Sequence, residues 1–246
     1  MKKVGIIGCG VIGGALKKWL EDHTDHQVFV SDPYKGYNDD LSGCDVFFIQ
    51  IHVPTEADGS QNLNTFREII SKLPDKPIFI RTTILPGTSD KLSKELNRHV
   101  YFMPEFLTER TSVDDFRTQP MVFTAVPELL KEIFVGKSYI EMTSLEAEIS
   151  KYTHNVFGAL KVTYFNAIYD YCQKLGADFS KVREGCLLSG YINEMHTRVP
   201  GPDGKFGYGG KCFPKDADAF TEATKPYALH ELLKPLKDLN ALFRNK

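Results

Sequence analysis

The chain has 246 residues, 42% hydrophobic and 25% charged, with a formal net charge of −2 at pH 7, the balance of an ordinary globular protein of one or two domains. No run of one charge sign marks a nucleic-acid face or a polybasic membrane patch, and the most apolar segment, 46–53, falls short of the ~20 residues of a membrane span. Five cysteines, at 9, 44, 172, 186 and 212, are odd in number and widely spaced, which argues against a disulfide framework or a metal site and for a reducing cytoplasmic setting.

The N-terminus begins as a strand rather than a secretory signal. Lys3–Ile7 is apolar and leads into Gly8-Cys9-Gly10-Val11-Ile12-Gly13, then a helical stretch to about Asp22. The glycines fit G-x-G-x-x-G. Gly8 permits the tight turn, Gly10 lets a pyrophosphate approach the backbone, and Gly13 allows close helix–strand packing. The helix N-terminus then offers the phosphates its unpaired N–H groups. Gln27–Ser31 reads as a second strand, and Asp32 follows nineteen residues after Gly13. A carboxylate there suits the ribose hydroxyls of NAD and repels the extra phosphate of NADP. An Asp that merely closes a strand is the plainer alternative. Lys35 lies nearby, within reach of the cofactor but more simply a solvated turn residue, and Cys9 reads as a small spacer.

The alternation continues with a strand at Asp45–Ile51, a helix around Leu63–Lys72, a strand at Pro77–Arg81, a helix around Ser89–Asn97 and a strand at Val100–Met103. Strands alternating with helices predict a doubly wound parallel sheet, whose ligands sit at the carboxyl ends of the strands. Val53-Pro54-Thr55, the 82–88 segment containing Thr83, and the 104–109 segment containing Glu105, Phe106, Leu107 and Glu109 all fall there. Met121–Ala125 and Ser138–Glu141 are expected to complete the sheet.

From Ser144 to Leu175 there is no proline and one glycine, Gly158. This predicts a single long helix, with a capped start around Ser144, Ala147 and Glu148, suited to an interdomain spine and a dimer contact. Lys151 and Asn155, four residues apart, share one face and are able to donate to a substrate oxyanion. A further helix at Phe179–Leu188, a glycine-rich loop at 200–210 and two short helices finish the chain. His154 and His196 have no partner spacing that marks them as ligands.

Within that last part, Gly209-Gly210-Lys211-Cys212-Phe213-Pro214-Lys215-Asp216 is the most informative run. The glycines allow close backbone approach, the lysines favour thiolate over thiol, and Asp216 is placed to bind a water or relay a proton. A buried, inert cysteine ahead of a helix is the competing reading.

Taken together, GCGVIG, VPT, TTILPGT, PEFLTE, EAEISKYTHNVFGALK and FGYGGKCFPKD resemble, in order, the motifs of the UDP-glucose/GDP-mannose dehydrogenase family. The resemblance implies an α/β fold: a Rossmann-type NAD-binding domain at 1–142, then an all-helical catalytic and dimerisation domain built on one long helix at 143–246. It implies oxidation of the primary alcohol of a UDP-glucose-like or GDP-mannose-like sugar to a carboxylate with two NAD molecules. By that resemblance Cys212 is the nucleophile, passing through a thiohemiacetal and a thioester. Lys151 and Asn155 stabilise oxyanions, Asp216 and Thr83 hold catalytic waters, and Glu105 serves thioester hydrolysis. Gly8, Gly10, Val11, Ile12, Gly13, Asp32, Val53, Pro54, Thr55, Thr83 and Glu109 line the cofactor. Phe106, Leu107, Lys151, Asn155, Phe206, Gly207, Tyr208 and Gly209 face the sugar nucleotide, and a homodimer forms through 144–175.

Three departures stand out. The chain stops about thirty residues after Asp216, where the family continues into a nucleotide-sugar-binding domain. Val53 comes only 21 positions after Asp32, too few for the family's extra helices. The family's substrate arginine aligns with Ile192, with Arg198 a displaced candidate. Two alternatives therefore stay open: a catalytically idle NAD-binding module that pairs with a partner chain, and a 3-hydroxyacid-type dehydrogenase, which needs no nucleophilic cysteine.

Overall fold

The structure is a computed structural model that describes residues 1–56 and 58–246. It divides into two units. The first holds Met1–Glu56 and Gln61–Lys151, and the second holds Tyr152–Lys246 with residues 58–60.

The first unit runs β1 (Lys3–Ile7), α1 (Val11–His23), β2 (Gln27–Asp32), a 3-10 turn (Pro33–Lys35), β3 (Tyr37–Asn38), β4 (Val46–Ile49), α2 (Asn64–Lys72), β5 (Ile78–Ile80), α3 (Thr88–Leu96), β6 (Val100–Phe102), α4 (Ser112–Thr118), β7 (Met121–Thr124), α5 (Pro127–Ile133) and β8 (Tyr139–Met142). Six strands form one sheet in the order β3-β2-β1-β4-β5-β6, parallel except for the two-residue edge strand β3. The short route from Asp32 to β4 is thus a 3-10 turn and an edge strand, with no helix between them.

Ile7 lies opposite both Ser31 and Ile49, Ile49 opposite Ile80, and Ile80 opposite Phe102. The parallel strands therefore end in one row, and Gly8, Asp32, Gln50, Arg81 and Met103 follow along it. Both faces of the sheet are covered, which is why its strands read as continuous apolar runs. Ile6, Phe48 and Phe79 pack with Leu16, Trp19 and Phe134 on one side. Ile7, Phe47, Ile49 and Ile80 pack with Phe66, Ile70 and Leu92 on the other.

Two expectations change here. β7 and β8 pair with each other in a separate two-stranded parallel sheet rather than extending the main one. The long helix, α6 (Ser144–Leu175), is capped one residue earlier than expected. Thr143 and Glu146 form the reciprocal capping box: Glu146 Oε2 accepts from Thr143 N–H at 2.8 Å, and Thr143 Oγ1 accepts from Glu146 N–H at 3.2 Å. Ser144 Oγ instead accepts from the N–H of Phe102 at 3.1 Å. Glu148, with no exposed surface, caps α3: its carboxylate accepts from Gly87 N–H, Ser89 N–H and Ser89 Oγ at 2.5–2.9 Å.

α6 spans 32 residues, roughly 48 Å at the usual rise, and continues into the second unit. That unit adds α7 (Phe179–Leu187), α8 (Phe213–Ala223), α9 (Leu229–Leu233) and α10 (Leu236–Arg244). The glycine-rich loop is accordingly followed by three helices among the described residues, where two were expected. α7 starts at Asp178, whose side chain accepts from Ser180 N–H at 2.9 Å.

Candidate functional site

In the first unit the candidate residues gather along the carboxyl row of the sheet. Gly8 adopts φ +86°, and a Cβ there would lie 2.6 Å from the carbonyl oxygen of Gln50. Any other residue is excluded twice over, by conformation and by space. A Cβ at Gly13 would strike the carbonyl of Gly8 at 2.1 Å, whereas Gly10 has nothing within 4 Å of that position. Gly10 caps α1, with Val11 and Ile12 opening the helix. The turn is closed on its protein side and open on its outer side, as close approach of a phosphate requires.

The turn is also held from β2. Asp32 Oδ2 accepts from Cys9 N–H at 2.8 Å, and Lys35 Nζ donates to the Cys9 carbonyl at 2.7 Å. Lys35 thereby does more than the solvated turn residue expected of it. Burial pushes the Cys9 thiol up from its ordinary range, with Lys35 and Lys17 opposing that shift.

Val53 is buried, and Thr55 bridges to Gln61 in a short antiparallel contact. Gln61 in turn reaches the Thr83 segment, donating to Thr83 O at 3.3 Å and accepting from Leu85 N–H at 2.8 Å. Among the described residues, the Gln50 amide and Thr55 Oγ1 are buried without hydrogen-bond partners. Orphaned polar atoms of this kind call for a ligand or water. They fit a dinucleotide laid over the glycine turn.

After β6, Glu105 and Lys151 form an ion pair at 3.0 Å, their side chains 7% and 4% exposed. Lys151 Nζ also donates to the Glu105 carbonyl and lies 5.3 Å from the Phe106 ring centroid. The second carboxylate oxygen of Glu105 accepts from Leu107 N–H at 2.8 Å. A buried pair of this kind is retained only when the remaining lone pairs and protons are satisfied. Glu109 lies on an exposed turn.

The second unit assembles the other candidates around the start of α8. Cys212 is its N-cap residue, exposed and outside any disulfide. One turn on, Asp216 has no exposed surface, and its N–H donates to Cys212 O at 2.9 Å. Its Oδ2 accepts from Asn155 Nδ2 at 2.7 Å, and its Oδ1 accepts from Lys215 Nζ. The buried carboxylate is thus pinned by an amide from α6 and by a lysine of its own helix. The Phe213 ring rests on Gly158 of α6, 2.6 Å from where a Cβ would stand.

The loop before Cys212 is braced from behind. Gly207, at φ +68°, donates its N–H to Asn166 Oδ1 at 2.9 Å. Tyr208 exchanges two hydrogen bonds with the Asn240 amide, at 2.7 and 3.1 Å. Burial pushes the Tyr208 phenol up to about 12. Arg244 pairs with Asp203 at 2.7 Å and lies flat against Gly209. Phe206 meets the Tyr169 ring at 5.4 Å.

Of the two arginine positions, Ile192 packs beside Phe165, Cys172 and Phe179. Arg198 is exposed and pairs with Glu194.

Sequence reasoning missed Gln50, Arg81, Asn166, Asn240 and Arg244, and read Glu148 as part of a helix start rather than as the cap of α3. The one signal available was a polar side chain inside an apolar run, which Gln50 and Asn166 both carry. Among the described residues no cluster of three or more His, Cys, Asp or Glu side chains is arranged to hold a metal ion, and no helix is long and apolar enough to cross a membrane.

Residues 145–241 match the model of the UDP-glucose/GDP-mannose dehydrogenase family, central domain. The UDP-glucose 6-dehydrogenase of Rickettsia bellii (strain RML369-C) is 29% identical over 230 residues, which cover 85% of this chain and 51% of that protein. That of Rhizobium meliloti (strain 1021) is 29% identical over 248 residues, covering 87% and 56%. The chain spans about half the length of the curated relatives it matches. Among solved structures, a UDP-glucose dehydrogenase from Pyrobaculum islandicum matches with a TM-score of 0.81 at 22% identity, covering 98% of this chain and 68% of that one. A GDP-mannose dehydrogenase from Pseudomonas aeruginosa matches at 0.67 and 22%, covering 99% and 69%. At these identities the structural likeness establishes the fold: a Rossmann-type α/β unit followed by helices built on one long helix.

Proposed function

We propose that this chain, which belongs to the UDP-glucose/GDP-mannose dehydrogenase family, catalyses the NAD-dependent oxidation of a nucleotide-sugar primary alcohol to a carboxylate through a covalent adduct on Cys212. The substrate class is a UDP-glucose-like or GDP-mannose-like sugar, following the activities named for its relatives. Residues 1–142 serve the cofactor and 143–246 serve catalysis and dimerisation. One observation carries the reading: a fully buried carboxylate, Asp216, is held by Asn155 and Lys215 one turn from an exposed thiol at a helix start. A carboxylate is buried at such cost only where its charge is used or firmly paired.

NAD fits the glycine turn and Asp32, and when bound it supplies the acceptor for the hydrides that the oxidation removes. Gly8, Gly10 and Gly13 hold the turn, Asp32 takes the ribose, and Gln50 and Thr55 offer the polar atoms that lack partners. Val53, Pro54 and Glu109 complete the lining.

The rest is chemistry of this chain's own side chains. The alcohol proton passes to a water held by Asp216, with Thr83 holding a second water. The Cys212 thiolate adds to the carbonyl carbon of the aldehyde, and the new oxyanion is held by Lys151 and Asn155. Oxidation of that thiohemiacetal leaves a thioester on Cys212. Water, deprotonated with the help of Glu105, adds to it; the C–S bond breaks, releasing carboxylate and thiol. Phe106, Leu107 and the Phe206–Gly209 loop serve the sugar nucleotide.

A homodimer through α6 is part of the proposal. Phe157, Tyr164 and Tyr171 recur every seven residues and are 60–65% exposed, an apolar stripe that a second copy would cover. The test is to incubate the chain with NAD and each of UDP-glucose and GDP-mannose and to look for the sugar acid by mass spectrometry. The acid from either supports the reading, and neither acid nor NADH from protein that binds NAD overturns it.

A further inference from the structure

Arg81 follows β5 and is 1% exposed, yet its Nε and Nη1 are buried and, among the described residues, hydrogen-bonded to nothing. Its guanidinium lies 5.3 Å from the Phe116 ring centroid. Stacking of that kind recovers only part of the cost of burying a charge. Burial pushes its pKa down to about 10, while the charge of Glu105 works in the opposite direction. Arg81 and Glu105 line one cavity of about 20 Å³ with Phe106, Asp115 and Gln119. That volume admits a single water and no substrate, so Arg81 acts through its neighbours.

The neighbour that needs it is Glu105. At rest its carboxylate is satisfied by Lys151 and by Leu107 N–H. In the proposed reaction, on which this inference rests, Lys151 turns to a substrate oxyanion. Glu105 would then be a buried carboxylate holding one backbone N–H, a strongly destabilising state. We propose that Arg81 is the reserve counter-ion of Glu105, a positioning residue that takes up the carboxylate whenever Lys151 leaves it. The charged groups that pair with Glu105 or line its cavity are Lys151 from α6, Arg81 after β5 and Asp115 from α4. Of the two cations, Arg81 is the one with buried nitrogens, Nε and Nη1, that lack any partner among the described residues.

Thermal unfolding of Arg81→Met, Lys151→Met, the double variant, and the double variant carrying Glu105→Gln tests this without requiring turnover. Arg81→Met is expected to melt at or above the parent, since it removes a buried charge that holds no hydrogen bond. Lys151→Met is expected to fall only slightly, because Arg81 replaces the lost partner. The double variant should melt on the order of 10 °C below the sum of the two, and Glu105→Gln should recover most of that loss. Additive effects, or a large drop in Arg81→Met alone, would overturn the proposal in favour of plain packing on Phe116. In the same proteins, Arg81→Met should lower kcat for NADH formation with KM unchanged. If the parent forms no NADH, the reaction itself has failed, and the melting cycle still decides whether Arg81 and Glu105 are partners.

Discussion

The Phe213 ring occupies the space that a side chain at Gly158 would need. A Cβ built on Gly158 would lie 2.6 Å from the ring's Cζ, and Phe213 is the first residue of α8, directly after Cys212. The one glycine inside α6 is therefore the seat of the segment that carries the thiol. Elsewhere in a helix a glycine costs about 1 kcal/mol relative to alanine; here that cost gives Phe213 its place.

Gly158→Ala should accordingly fail to deliver the usual helix gain. Overpacking of ~1–3 kcal/mol offsets it, and the displaced ring shifts Cys212. We expect a lower melting temperature and a changed rate of Cys212 alkylation by iodoacetamide, both partly restored by adding Phe213→Leu. A variant that is stabilised with unchanged alkylation would remove this role from the pair.

Asn155→Ala withdraws the amide from the buried Asp216 carboxylate, leaving Lys215 as its side-chain partner. Loss of a buried partner costs ~1–3 kcal/mol. If Asn155 also donates to the oxyanion, kcat falls ~100-fold or more. Asp216→Asn should lower kcat as well. Comparing denaturant unfolding with turnover separates the two effects, because a purely structural Asn155 would lower stability and spare kcat.

Asn240→Ala removes both hydrogen bonds that fix Tyr208. The loop is assigned to the sugar nucleotide, so the expected result is a higher KM with kcat changed less. Steady-state kinetics against sugar nucleotide at saturating NAD measures this split. A fall in kcat alone would place the loop elsewhere in the reaction.

Asp32→Ala removes both the candidate ribose acceptor and the bond to Cys9 N–H. NAD affinity should fall at least tenfold and the preference over NADP should narrow. Calorimetric titration with each dinucleotide checks it, and unchanged NAD affinity would contradict the assignment.

His196 is held at φ +65° with its ring 5.1 Å from Phe213. Burial lowers its pKa from the ordinary value of 6.5, with Lys161 and His154 adding to the shift. A depressed histidine resists protonation in the fold but not in the unfolded chain, so its contribution is intact above about 6.5 and is lost as pH falls below it. His196→Asn, whose side chain tolerates that backbone, should close the stability gap to the parent between pH 7 and 5.5. Parallel pH curves for the two proteins would show that His196 does not titrate as described.

The fold was largely legible because its signals are local. The apolar runs at 3–7 and 46–49, the glycines at 8, 10 and 13, and the proline-free stretch from 144 to 175 each announce an element within a few residues. What was not legible depends on distant partners. Glu148 reads as part of a helix start, yet it caps α3 some 59 residues earlier in the chain. Asn240 looks like an ordinary helix residue until it meets Tyr208, 32 residues away. β7 and β8 have the composition of sheet strands, and nothing in their sequence says that they pair apart from the main sheet. The candidate residues fall into two groups for the same reason. Spacing along α6 relates Lys151 to Asn155, but it does not reveal that one is held by Glu105 and the other by Asp216.

The central claim is covalent oxidation through Cys212, and the stoichiometry of NADH against sugar consumed tests it most directly in the parent and in Cys212→Ser. The account predicts two NADH per sugar acid for the parent. For the variant it predicts no acid, with oxidation halted at or before the aldehyde. Two NADH per sugar from Cys212→Ser would contradict it, because the second oxidation would then proceed without the thiol.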